Sequence, residues 1–224
     1  MRLAWPRKFG ARWEPFEHMS MEVERDLVEA YFESNGFLVR QTTAYEAVSE
    51  KKRQMRLPSL AVFNPLSRRN ETGLDFRLFT GDLPKIRSGL VGLLGWENSS
   101  FSQSVLTSDA RILKFCKKEV NEGRVTESLK SEPGLMGSGF GDFLRLIVVP
   151  GLPKADGKLM ESYELLKSAG VDGVFTLRSI MENLLRQTVP SKSYQGKSVF
   201  QIMRLMKAYD LVREPQLEMF PNPE

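Results

Sequence analysis

Three short apolar runs constrain this chain more than anything else in it. Residues 60–63 read Leu-Ala-Val-Phe between Pro58 and Asn64-Pro65. Residues 89–96 are apolar throughout, and residues 143–149 stop at Pro150-Gly151. A short apolar run bounded by turn residues reads as a strand covered on both faces. Such strands need helices above and below them, so the runs predict layered α/β architecture.

The helices are legible around the runs. From Ser20 to Asn35, Val23, Leu27, Val28, Tyr31 and Phe32 recur at helical spacing. Ser20 suits the cap, Glu22 and Glu24 the first turn, and Asn35-Gly36 the stop. Residues 37–39 then read as a strand. Residues 74–79 alternate strictly and predict a half-exposed strand, with 80–84 as a turn. Helices are expected over 108–120, 158–168, 179–189 and 197–211, and a further strand over 174–177. Residues 1–19 form an aromatic and charged arm. Residues 20–224 form one α/β domain, its core about 20–150 and its extension about 151–224. The doubly wound nucleotide-binding fold competes, but no Gly fingerprint joins the first strand to a following helix.

Composition narrows the chemistry. At 224 residues the chain can bury a sizeable core, and it has no apolar run long enough to cross a membrane. The start, Met-Arg-Leu-Ala-Trp-Pro-Arg-Lys, lacks a signal-peptide core. A single cysteine excludes an internal disulfide and fits a cytoplasmic protein. That residue, Cys116, follows Leu113 and Phe115 in a helical pattern and reads as a buried inert thiol. The lone His18 removes His-rich zinc sites and leaves little for a Ser–His relay. The net charge of +4 is a weak sign of an anionic partner, but its distribution is more telling. Residues 51–70 hold Lys51, Lys52, Arg53, Arg56, Arg68 and Arg69 and no acid. These cations bracket the 60–63 strand, either as solvated loops or as a phosphate-contacting rim.

Pro58-Ser59 opens the first run, and Gly92-Leu93-Leu94 followed by Gly95-Trp96 lies within the second. The pattern resembles the paired active-site strands of the PD-(D/E)XK, or restriction-endonuclease-like, superfamily. The resemblance covers a little over half of the chain. It implies an αβββαβ core, a mixed sheet flanked by helices, with C-terminal α/β additions. It also implies that the strands at 59–64, 90–96 and 143–149 are neighbours in one sheet. In active relatives the first strand opens Pro-Asp and the second carries acid-x-Lys. The carboxylates hold Mg²⁺, which activates water. Here those positions are Ser59, Gly92 and Leu94. A first-helix acid, matched by Glu22, Glu24 or Glu29, often joins the set.

The resemblance therefore implies a nuclease fold without its chemistry, with no cofactor or metal and with nucleic acid as partner. Lys51, Lys52, Arg53, Arg56, Arg68 and Arg69 would make the phosphate contacts. Two alternatives stand beside it. A migrated site could use Asp75, Asp82 and Glu97 with Lys85 or Lys114, and would require Mg²⁺. Alternatively, the scaffold is a protein-interaction module or a homodimer. Weaker motifs read blandly. The Gly-rich 134–141 stretch precedes a strand, not a helix, and so reads as a loop. Lys197, Gln201 and Arg204 make a polar stripe on the last helix, and Met203 and Met206 fill core gaps.

Overall fold

Helix α1 (Ser20–Ser34) is the first element of the computed structural model, which describes residues 20–42, 59–95, 101–129, 143–194 and 198–212. The N-terminal arm, the basic run 51–56, Glu97 and the 134–141 stretch fall outside the described residues. Val28, Tyr31 and Phe32 lie on one side of α1 and are buried. Val23, expected on that stripe, is 60% exposed. It sits a turn before Leu27, ahead of the stretch that reaches the core. Gly36 (φ 88) ends the helix: its N–H donates to Glu33 O and that of Phe37 to Phe32 O. This reversal buries Phe37 and begins strand β1 (Leu38–Gln41).

The chain is an α/β protein whose described residues form a five-stranded mixed sheet. Strands β1, β2 (Ser59–Phe63), β3 (Ser88–Leu93), β4 (Leu144–Val149) and β5 (Gly173–Thr176) lie in sequence order. The first three pair antiparallel; β4 and β5 add in parallel. The three apolar runs thus fall on the adjacent strands β2, β3 and β4. Every residue of β3, the middle strand, is buried. The antiparallel β1–β2–β3 meander separates this sheet from the all-parallel doubly wound alternative.

Between β3 and β4 run α2 (Gln103–Leu106), α3 (Asp109–Asn121) and α4 (Arg124–Ser128); α5 (Asp156–Ser168) joins β4 to β5. After β5 come α6 (Leu177–Gln187) and α7 (Ser198–Ala208). Alternation along the strands sends Leu60, Val62, Val91 and Leu93 to one face, against α1, α6 and α7. Leu94, Ile147, Val149 and Val174 face α3, α4 and α5. On the first face Tyr31, Phe32 and Phe175 meet edge to face, with centroids 5.2 to 6.0 Å apart. Each such pair adds about 1 kcal/mol beyond its buried area. On the second, Cys116 is buried, and loss of water pushes its thiol pKa up to about 11.

Three expectations need correcting. Residues 74–79 do not form a ladder strand. Arg77 makes one isolated parallel bridge to Val174, with Leu78 N–H donating to Val174 O and Val174 N–H to Phe76 O. The segment covers the outer edge of β5, so its alternation reports burial of one side without full pairing. Residues 80–84 belong to a 3-10 helix (Thr80–Lys85). Leu177 starts α6 instead of ending a strand, because Thr176, the last strand residue, caps the helix by accepting from Ser179 N–H. On α7, Met203 is buried and Met206 half-buried, while Ile202 faces water.

Candidate functional site at the ends of strands two and three

The antiparallel register puts Ser59 directly opposite Gly92. Directly paired residues point to the same side of a sheet, here the α3–α5 side. The first-strand and second-strand positions singled out in the sequence are therefore cross-strand neighbours.

What surrounds them is closed packing. Ser59 is buried, and its hydroxyl shares a short hydrogen bond with the Thr42 hydroxyl. Thr42 also sends its N–H (3.2 Å) and its O–H (3.0 Å) to Ser59 O, extending the β1–β2 ladder. Opposite, α4 lies against Gly92. A Cβ there would stand 2.5 Å from Ser128 Oγ and 3.0 Å from Ser128 Cβ. Ser128 is fixed in turn, because its hydroxyl donates to Val125 O at 2.8 Å. Leu94 continues the ladder through its N–H to Val148 O, and its side chain is buried with Ile112, Phe115 and Ile147. Gly95 (φ +85) closes the strand where a Cβ would come within 3.0 Å of Phe115, Pro150 and Phe101. The space beside these positions is filled by hydroxyls, glycine and hydrocarbon.

The other candidate acids do not gather there. Glu29 accepts from Gln41 Nε2 at 3.1 Å. Gln41 pairs with Leu60 and so lies on the sheet face opposite Ser59. Glu24 has a partly desolvated carboxylate, which raises its pKa; the Glu22 side chain is outside the described set. Register runs from Gly92 through Ile147 and Val174 to Arg77. Asp75 therefore lies beyond β4 and β5, exposed. Asp82 is occupied as a cap: it accepts from Phe79 N–H and pairs with Lys85 Nζ, each at 3.0 Å. That pairing holds the Lys85 pKa up. Lys114 is on the exposed side of α3. Among the described residues no three His, Cys, Asp or Glu side chains come together as a metal site.

The described members of the candidate basic cluster lie at the opposite end of the same strands. Arg68 and Arg69 are exposed in the loop after β2, and the strand itself separates Ser59 from Phe63 by about 13 Å at the usual rise per residue. The loop is pinned by residues that sequence reading missed. Asn64 Oδ1 accepts from Leu66 N–H, and Asn70 Oδ1 accepts from Arg87 N–H (2.7 Å) and Ser88 N–H (3.1 Å). The Arg87 guanidinium donates to Ser67 O (2.8 Å) and Arg68 O (2.6 Å), and rests over the Phe63 ring. The signal was present as two asparagines, ordinary turn formers, at either end of the basic loop.

No helix among the described residues is long and apolar enough to cross a membrane. Comparisons with protein-family models, with curated proteins and with solved structures give no match.

Proposed function

We propose that this chain is a non-catalytic protein of the restriction-endonuclease-like fold that binds nucleic acid. The observation that carries the reading is the Ser59–Gly92 pairing, at the adjacent strand positions where the superfamily keeps its metal carboxylates. The element order from α1 to β4 supports the same core. A hard divalent cation needs several anionic oxygens, and among the described residues the Ser59–Gly92 pair is met by the neutral hydroxyls of Thr42 and Ser128. Nucleic-acid binding is supported by the acid-free run of cations around β2.

A cleavage and binding assay tests both halves. Incubation with Mg²⁺ or Mn²⁺ and plasmid, single-stranded DNA or RNA should leave each substrate intact. Fluorescence anisotropy with labelled oligonucleotides should show binding that weakens steeply from low to physiological salt. Metal-dependent cleavage abolished by Asp75→Asn or Glu97→Gln would instead support the migrated site.

A second reading, protein interaction, has its own observation. Ile202, Leu205 and Tyr209 form an exposed apolar stripe on α7 and just past its end. Salt-insensitive self-association measured by sedimentation would favour it over nucleic acid.

A further inference from the structure

We infer that the loop after β2 is a docking element for single-stranded nucleic acid, with Arg68 and Arg69 taking phosphates and the adjoining apolar surface taking bases. This inference rests on the nucleic-acid reading above. It moves the contact to the end of β2 and β3 away from Ser59, Gly92 and Leu94.

Loop construction is the first argument. Two asparagine carboxamides and the Arg87 guanidinium hold the 64–70 backbone at both ends and from within. Such anchoring presents Arg68 and Arg69 with little backbone entropy left to lose on binding. Both arginines are exposed, and among the described residues neither guanidinium has an ion-pair or hydrogen-bond partner. Their charge is therefore available to an external anion. Arg87 is differently employed, as the brace of the loop.

The neighbours of the arginines select the kind of anion. Leu66, within the loop, is 88% exposed, and Leu38, paired with Phe63 at the same end, is 65% exposed. Phosphate alone has no use for bare leucine side chains. An unpaired strand brings bases as well as phosphates, and its bases can lie on apolar side chains or on a guanidinium plane such as Arg87 over Phe63. In a duplex the bases are stacked and paired, so only the phosphates would be served.

The test uses the full chain and a labelled twenty-nucleotide oligo-dT, read by anisotropy across a salt series. The paired reversal Arg68→Glu with Arg69→Glu should weaken binding at least tenfold at low salt. It should also flatten the slope of log affinity against log salt by about 1.4, at roughly 0.7 per phosphate contact on a single strand. Leu66→Ser should weaken oligo-dT binding with the salt slope unchanged. Among the described residues these side chains make no side-chain hydrogen bond or ion pair, so an unaltered thermal melt shows that the variants remain folded. Unchanged affinity in the paired reversal, with loss in Arg53→Glu/Arg56→Glu, would overturn the inference and leave the proposed function standing. Equal affinity for a duplex of the same length would overturn the single-strand assignment. No binding by the unmodified chain at low salt would overturn the nucleic-acid reading itself, and this inference with it.

Discussion

Strands β2 and β3 run side by side, and their two ends are finished by different physics. At the Ser59–Gly92 end the gap between helix and sheet is filled by close packing, with Ser128 against a glycine and Leu94 among hydrocarbon. At the Arg87 end the chain is held by directed hydrogen bonds, and charged side chains are left in water. The difference teaches where a binding surface can survive in such a fold. Close packing between helix and sheet leaves no room for a ligand, whereas a braced loop holds its shape while keeping its charges free for an external partner.

The hardest blow to this contrast is Gly92→Asp. Its Cβ would collide with Ser128, and its carboxylate would be buried without a partner, so we expect a loss of about 3 kcal/mol or more. The midpoint of urea unfolding reads this directly. A variant as stable as the parent that also binds Mg²⁺ would show the closed end to be soft.

A smaller effect should follow Asn70→Ala at the braced end. Two backbone N–H groups, those of Arg87 and buried Ser88, lose their acceptor, for a cost of about 2 kcal/mol. Hydrogen exchange should localise the loosening to the β2–β3 loop. Protection lost at α4 instead would mean that the two ends are mechanically one.

The gentlest test uses pH. Asp109, at the start of α3, accepts from the N–H groups of Lys154 and Ala155, each at 2.9 Å, beyond the end of β4. Those bonds hold its carboxyl below the usual range. A lowered folded pKa means that the stabilisation is complete above the unfolded value, about 3.9, and is lost as pH falls through the folded one. Asp109→Asn should therefore flatten acid unfolding below that point and leave the neutral-pH loop contacts of Arg87 untouched. A melt that falls equally in both proteins between neutral pH and pH 3 would remove Asp109 from the account.

Much of the sheet was legible, because β2, β3 and β4 each bury both faces and therefore lack alternation. Strand identity at Ser59 and Gly92 followed from the bounding Pro and Gly residues. What surrounds those positions did not, since Ser128 lies past the helix expected over 108–120 and reaches Gly92 only in three dimensions. The clamp from Asn70 to Arg87 spans seventeen positions and has no local periodicity to announce it. Residues 74–79 misled for a related reason: alternation tells which side chains are covered and says nothing of hydrogen-bond partners.

Thr176 is both the last residue of β5 and the cap of α6, so no connecting residue lies between them. The joint has no slack in either direction. One residue added there would turn α6 by about 100° around its axis, at 3.6 residues per turn, and carry Ile180 and Leu184 out of the core. Length at this point is as strictly specified as residue type, and insertions or deletions that a looped connection would absorb are forbidden.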